Sequence, residues 1–182
     1  INKIIHKRDQ ETIRQLTFLK KKHKDYCEVY RVEGIFYGHI GAKAEMKDAF
    51  YEVFRLAPDS PNPRAYFIER LRDVEAFDES VKEGIEGLKI FPENIEIKLQ
   101  LLKSKYYLRD FDQLTIKLAN EIKDSATKQV NINYHFARKL ANVALEFHRR
   151  YAEFLIFKGG DDNHNEAFNQ VVMLADNFNY FE

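Results

Sequence analysis

A 34-residue interval constrains the fold of this chain more than any other feature of its sequence. The stretch from Glu75 to Asn94 reads EAFDESVKEGIEGLKIFPEN, and modified versions of it lie 34 residues to either side. The matching positions include the pairs Phe77 and Phe111, Asp78 and Asp112, and Pro92 and Pro58. An interval kept over three repeats is typical of stacked helical hairpins. We therefore expect an all-α fold.

Composition excludes several classes of protein. The chain has 29 basic and 29 acidic side chains, so it lacks the basic excess of a dedicated nucleic-acid binder. Its longest apolar runs, such as Val171–Ala175, are far shorter than the roughly 20 residues of a membrane helix. A single cysteine, Cys27, cannot form an internal disulfide, which fits a reducing compartment, and we expect a cytoplasmic location. Because the chain begins with Ile1, we expect it to be a piece of a longer protein.

The first 26 residues predict a helix that covers one end of the stack. Apolar residues recur at helical spacing between Asp9 and Tyr26, and a basic run, Lys20–Lys24, follows them. Lysines near a helix C-terminus interact favourably with the helix dipole, so this run is typical of a solvated helix end. An alternative is a nucleic-acid-associated module that uses the run together with Arg149 and Arg150.

Three repeats follow, at residues 27–60, 61–94 and 95–128. In the first repeat, a helix with Gly34 is followed by a turn and by a second helix with apolar residues on one stripe. The prolines at Pro58, Pro61 and Pro63 end this repeat, because no helix continues through such a stretch.

Residues 27–128 resemble three tetratricopeptide repeats. That family has characteristic residues at seven positions of its 34-residue unit. Counted from Cys27, these positions hold Tyr30, Gly34, Tyr37, Met46, Phe50, Val53 and Pro58, and five of the seven match the family. The later repeats depart from the pattern, since Ile68 and Leu102 stand where glycine is usual and Gly84 stands where an aromatic is usual. The resemblance implies a right-handed superhelical array of antiparallel helix hairpins.

The C-terminal region, residues 129–182, predicts a long helix and a final packing helix. Neither Gly nor Pro interrupts residues 127–158, so we expect one helix of roughly 45 Å there. Its apolar seam contains Ile132, Phe136, Leu140, Val143, Phe147, Tyr151 and Phe154. The final helix, Asn165–Phe178, is expected to turn inward Ala167, Phe168, Val171, Val172, Ala175 and Phe178. A degenerate fourth repeat at residues 148–181 is an alternative description of the same region.

No pattern in the sequence predicts catalysis, a metal or a cofactor. Asp161, Asp162, His164 and Glu166 lie close together, but Asp and Asn before a helix are ordinary caps. Phosphate-binding glycine loops, serine elbows and paired zinc-binding histidines are missing from the sequence. We expect that this chain is not an enzyme, although it could be the regulatory or sensor domain of a larger one.

The resemblance implies a protein-binding function. In the tetratricopeptide family, one face of each first helix lines a concave surface that binds a peptide or helix of a partner, or another domain of the same chain. Carried over by position, the predicted binding residues are Arg31, Ile35, His39, Glu69, Arg72, Lys103, Tyr106 and Tyr107. Arginine and lysine could bind acidic groups, and tyrosine is enriched at interface hot spots.

Overall fold

The computed structural model describes residues 7–129 and 132–178, and side chains for 9–129 and 132–172. All regular secondary structure in these residues is α-helical, which confirms the all-α prediction. The helices are α1 (Lys7–Lys22), α2 (Cys27–Ile40), α3 (Lys43–Leu56), α4 (Pro61–Asp73), α5 (Phe77–Ile90), α6 (Ile95–Tyr107), α7 (Gln113–Gln129), α8 (Tyr134–Lys158) and α9 (Asp161–Phe178).

Helix boundaries recur at the interval of the sequence repeat. Helices α2, α4 and α6 begin at Cys27, Pro61 and Ile95, so successive starts lie 34 residues apart. These are the first residues of the three predicted repeats.

The turns that end these three helices recur at the same interval. Gly41, Glu75 and Arg109 all adopt left-handed backbone conformations, with φ of 75°, 58° and 55°. In each turn this residue donates its N–H to the carbonyl three residues back, and the next residue donates to the carbonyl five residues back. This pair of bonds defines the Schellman motif, which satisfies the last carbonyls of a helix. Glycine is the usual residue at this position. The left-handed backbone of Glu75 and of Arg109 is therefore less favourable by about 1 kcal/mol of conformational free energy each.

The chain divides into two compact units, Ile1–Glu83 and Gly84–Glu182, and each is described by itself. In the first unit, α1 packs on α2, α2 on α3, and α4 on both α2 and α3. An apolar cluster of Met46, Phe50, Phe67, Leu71 and Ala76 forms its core. The Phe50 and Phe67 rings stack at 5.0 Å between centroids, an arrangement that adds to the burial of both rings.

A glycine allows close packing in each unit. A Cβ atom on Gly34 would lie 2.7 Å from the Phe50 ring, so only glycine lets α2 approach α3 this closely. In the second unit, a Cβ atom on Gly84 of α5 would lie 2.9 Å from Cδ1 of Leu101 in α6. The space that the glycine leaves is therefore filled by a leucine of the following helix.

In the second unit, α8 packs on α6, α7 and α9. Ile97, Leu99, Leu101 and Leu102 of α6 are fully buried, as are Ile122 of α7 and Leu140 and Phe147 of α8. Helix α6 is buried on most of its circumference, since its polar residues Lys98, Gln100, Ser104 and Lys105 are buried as well.

A buried histidine joins α8 to α9. His148 is 2% exposed, and its Nδ1 lies 2.7 Å from Oε1 of Gln170. Gln170 in turn donates a hydrogen bond from Nε2 to Glu166. Nε2 of His148 is buried without a hydrogen-bond partner in the described residues. Burial lowers the pKa of His148, and so does the charge of Lys123, while the bond to Gln170 raises it.

The prediction of one helix through residues 127–158 is wrong. Helix α7 ends at Gln129 and α8 begins at Tyr134, with Ile132 79% exposed between them. Oδ1 of Asn133 accepts a hydrogen bond from the backbone N–H of Phe136 and caps α8. With 25 residues, α8 is roughly 37 Å long.

The inward face predicted for the last helix is only partly correct. Ala167 is 2% exposed and packs with Ala152 and Leu155, whereas Phe168, at 68%, and the two valines Val171 and Val172 are exposed. Ala175 and Phe178, which were also predicted to point inward, lie outside the described side chains. The predicted start of a fourth repeat, His148, lies inside α8.

Candidate partner-binding site

In the first unit, the five predicted binding residues lie on α2 and α4, two helices that contact each other. Arg31 is half-buried and bonds Glu28 at 2.6 Å, and Ile35 packs against the apolar core. His39 is exposed, whereas Glu69 and Arg72 are half-buried. Part of this predicted surface is therefore occupied by contacts within the unit.

In the second unit, the three predicted residues lie near the end of α6. Lys103 is half-buried, Tyr106 is 6% exposed and Tyr107 is 51% exposed. The two tyrosine rings lie 5.1 Å apart between centroids. Tyr106 is thus mostly covered, and Tyr107 presents its ring to solvent.

A cleft of about 240 Å³ opens beside these tyrosines, and we call it the aromatic cleft. Four of its lining residues are aromatic and three are charged. They are Tyr106, Arg109, Phe111, Arg150, Glu153, Phe154 and Phe157. Tyr106 belongs to α6 and Arg109 to the Schellman turn, whereas the last four residues lie on one face of α8.

A buried lysine holds the turn that carries Arg109. Lys105 is 3% exposed, and its Nζ lies 2.6 Å from Asp110 and 3.0 Å from Asp112. Asp112 also accepts a hydrogen bond of 2.8 Å from the N–H of Thr115 and so caps α7. Burial alone would lower the pKa of Lys105, but the bonds to both carboxylates outweigh burial and the pKa is raised. The lysine therefore stays charged and fixes both ends of the turn.

Arg150 lies over the two tyrosines. The centre of its guanidinium group is 5.0 Å from the centroid of Tyr106 and 5.4 Å from that of Tyr107. These are cation–π distances. Nε of Arg150 donates to Glu146, one turn earlier on α8. The guanidinium group is therefore held on both sides before any ligand arrives.

The charged side chains that line the aromatic cleft are two arginines and one glutamate. Glu153 is bound by Arg149, which also bonds Glu146 at 3.0 Å. Hydrogen bonds from Arg149 and then Arg150 lower the pKa of Glu146 against the effect of burial, so Glu146 stays ionised. Arg109 makes no ion pair within residues 7–129 and 132–178. One arginine of the cleft is thus uncompensated by its neighbours.

An aromatic cluster supports the floor of the cleft. The Phe111 ring lies 5.1 Å from that of Phe154, 5.5 Å from that of Tyr151 and 5.9 Å from that of Phe147. Such packing keeps the inner wall rigid, whereas Phe157 at the rim is 90% exposed. An exposed phenylalanine beside a cleft is available to a ligand.

Sequence reasoning missed most of the cleft. It included Tyr106 and Tyr107, and it considered Arg150 only for nucleic-acid binding. A signal was present, since residues 150, 153, 154 and 157 follow the i, i+3, i+4, i+7 spacing of one helix face. The position of Arg109 could have been found from Gly41, because the two residues stand two intervals apart.

A second surface, in the first unit, is apolar. A groove of about 350 Å³ between α1 and α2 is lined by Leu16, Leu19, His23, Tyr26, Glu28, Val29 and Val32. Its charged residue, Glu28, is bonded to Arg31. This groove thus offers little charge with which to orient a ligand.

The metal site and the basic run that the sequence suggested can be compared with the described residues. Within the described side chains, no group of three His, Cys, Asp or Glu residues is placed to hold a metal ion. Of the basic run, Lys20 pairs with the buried Glu33. Among the described residues, no helix has both the length and the apolar character needed to cross a membrane.

Fold and site together define an all-α protein with an aromatic cleft that two arginines and one glutamate line. A scan against protein-family models found no match, and a search of curated proteins found no significant match.

Proposed function

We propose that this chain is a protein-binding module whose aromatic cleft receives a segment of a partner protein or of another domain of its own chain. The observation that carries the proposal is the cleft itself, in which exposed Phe157 stands beside two arginines, with the exposed ring of Tyr107 5.4 Å from the guanidinium group of Arg150. Aromatic and arginine side chains are the residue types most enriched at interface hot spots.

The size of the cleft favours a peptide segment over a cofactor. Sites for drug-sized molecules usually enclose about 300–1,000 Å³. At about 240 Å³, the aromatic cleft is smaller than these and matches one or two large side chains. Neighbouring residues of a bound segment would lie along α6 and α8, where Lys103 and Tyr107 are accessible.

We also propose that the helices form a right-handed superhelical array like that of tetratricopeptide repeats. The 34-residue spacing of helix starts and of Schellman turns supports this proposal. So do the contacts of α2 with α4 in the first unit and of α6 with α8 in the second, since stacked hairpins pack each first helix on the next.

Cys27, a half-buried free thiol, fits a cytoplasmic protein.

The charges favour a protein ligand over nucleic acid. Lys20 is paired with Glu33, and Arg149 is paired with both Glu146 and Glu153. Phosphate tracks need several cations that are available to the ligand, and binding energy would first have to break these pairs.

Selection of displayed random peptides against this chain tests the proposal. We expect selected peptides to bind in the micromolar range and to shift the amide NMR signals of residues 106–111 and 150–157. Tyr107→Ser and Phe157→Ser should each weaken binding about tenfold, because both remove accessible aromatic area. Ile132→Ser is the control, since Ile132 is a large apolar residue that is 79% exposed and lies outside the cleft lining.

Two results would contradict the proposal. One is a selection that yields no peptide dependent on Tyr107 or Phe157. The other is a set of peptides whose shifts fall on the first unit, around Arg31 and Ile35.

A further inference from the structure

The aromatic cleft combines an apolar lining with a cationic rim, and this combination narrows the class of ligand. We propose that the cleft selects an apolar side chain, aromatic or aliphatic, that lies next to a carboxylate within an acidic segment of the partner. This inference rests on the proposed function and adds to it the chemistry of the partner segment.

The apolar half of the recognition comes from four rings. Tyr106, Phe111, Phe154 and Phe157 line the cleft, and its volume is several times the roughly 30 Å³ that one water molecule takes up in the liquid. Filling an apolar cleft with a large side chain removes its surface from water and stabilises the complex. An apolar side chain therefore suits the inner part of the cleft.

The two arginines of the cleft would recognise the carboxylate of the partner segment. Nε of Arg150 is bonded to Glu146, and no other hydrogen bond of this guanidinium occurs within the described residues. Its terminal nitrogens are therefore available to a ligand carboxylate, which a guanidinium can bind with two parallel hydrogen bonds. Arg109 adds a second guanidinium without an ion pair in the described part of the chain.

The guanidinium group of Arg150 and the backbone of Arg109 are both held in place before a ligand binds. Arg150 is fixed between Glu146 and the Tyr106 and Tyr107 rings. Arg109 stands on a turn that Lys105 clamps through two carboxylates. Groups that are fixed before binding lose less conformational entropy when a ligand arrives.

The turn after α6 decides where the side chain of Arg109 lies. Arg109 has φ of 55°, at the position that Gly41 holds in the first repeat and Glu75 in the second. In this position the side chain lines the cleft.

The test compares peptides and protein variants that differ only in charge. Peptides selected on the intact chain are synthesised with their Asp and Glu residues and, as matched controls, with Asn and Gln. Fluorescence anisotropy then measures the affinity of each. We expect acidic residues beside an aromatic or aliphatic residue in the selected peptides, and about a tenfold loss of affinity in the amide versions.

Variants of the chain identify which arginine binds the acid. Arg109→Gly and Arg150→Gln should each weaken the acidic peptide about tenfold and leave its amide version unchanged within twofold. Arg109→Gly should stay folded, because glycine suits the left-handed backbone. The controls are Glu75→Gly, the same change in the equivalent turn, and Arg138→Gln, an exposed arginine of α8 outside the cleft lining. Both controls should bind like the original chain.

The outcomes separate this inference from the proposed function. Peptides that bind the cleft equally well with amides in place of acids, or that carry basic residues beside the apolar one, would overturn the acidic preference alone. Peptides that bind elsewhere, or no peptides at all, would overturn both. Affinity that falls with the two arginine variants but not with the controls supports the inference.

Discussion

The turns after α4 and α6 have the same backbone but different chemistry. In the first unit the left-handed residue is Glu75, and the equivalent in the second unit is Arg109. In each turn, this residue and the one after it each donate one of the two hydrogen bonds of a Schellman motif. The turn geometry is thus independent of these side chains, so the residues on the turn are free to serve other purposes.

The two turns also differ in the residues that pack beneath them, which are apolar in the first unit and charged in the second. In the first unit, Leu71 is fully buried in the apolar core and Ala76 covers it. The equivalent positions in the second unit hold Lys105 and Asp110, which form an ion pair. The same fold therefore supports an apolar turn in one unit and a charged turn beside a cleft in the other. Repetition of the backbone does not imply repetition of function.

Leu71→Lys is expected to lower stability most, because the first turn has an equivalent of only one of the two carboxylates that bind Lys105, namely Asp78 for Asp112. A buried ammonium that lacks the carboxylate at position 76, together with lost apolar burial, should cost about 3 kcal/mol of unfolding free energy. Urea denaturation followed by circular dichroism measures this. Adding Ala76→Asp should recover part of the loss.

Controls for that prediction are available in both units. Leu71→Met keeps the volume and should cost less than about 1.5 kcal/mol. Lys105→Met should cost no more than about 1 kcal/mol, since Asp110 and Asp112 are about half-exposed and can be hydrated. A Leu71→Lys chain as stable as Leu71→Met would refute the account of the apolar turn.

Gly34→Ala should have the second largest effect. The added Cβ would lie 2.7 Å from the Phe50 ring, so α2 and α3 must separate at a cost of about 1–3 kcal/mol. Phe50→Leu in the same chain should reduce that cost, because the smaller side chain makes room. Thermal denaturation of the single and double variants measures the coupling. Equal costs of Gly34→Ala with and without Phe50→Leu would show that the contact does not limit the approach.

Acid should weaken the second unit before the first, because His148 is buried whereas His23 and His39 are exposed. Burial lowers the pKa of His148 below its ordinary 6.5. The unfolded chain then binds a proton more readily, so stability is full above about pH 6.5 and falls as pH drops toward the lowered pKa. Hydrogen exchange measures this effect as the protection factors of α8 and α9 amides between pH 7 and 5, in which the intrinsic pH dependence of exchange is removed.

Gln170→Glu is the matched variant for the acid effect. A carboxylate at this position would favour the charged imidazolium and raise the pKa of His148, which should reduce the acid sensitivity. Protection factors in α8 that do not change with pH would argue against a buried neutral histidine.

Glycine in the two equivalent turns should have the smallest effect on stability. Glu75→Gly and Arg109→Gly each relieve a left-handed side chain, and we expect gains of up to about 1 kcal/mol in both. Differential scanning calorimetry of the pair tests whether the turns are energetically equivalent. A gain at one position and a loss of more than about 1 kcal/mol at the other would mean that they are not.

The sequence predicted the parts of the fold that follow from the interval. Helix starts at Cys27, Pro61 and Ile95 agree with the first residues of the repeats because turn and cap chemistry is local. The break before α8 was missed because the prediction relied on the absence of Gly and Pro, whereas Asn133 both ends the loop and caps the helix. Short-range capping thus outweighed apolar spacing.

The candidate site depended on contacts that the interval does not encode. Tyr107 was predicted from its position within the repeat, and its ring is 51% exposed. Arg150 and Phe157 belong to α8, where the interval is no longer kept, and their place beside Tyr106 depends on tertiary packing. Exposure of Phe168 was missed for a related reason, since spacing shows a helix face but not which side is covered.

Lys105 makes the turn beside the cleft chemically observable. Its amine is 3% exposed and bonded to two carboxylates, so an acylating reagent in water can reach it only when the turn opens. Lys82 and Lys89, on the surface of α5, would be acylated without any such opening. Mass spectrometry can compare the acylation rate of Lys105 with the rates of those two lysines. The ratio therefore reports how often the turn beside the cleft opens, and the native chain needs no added label.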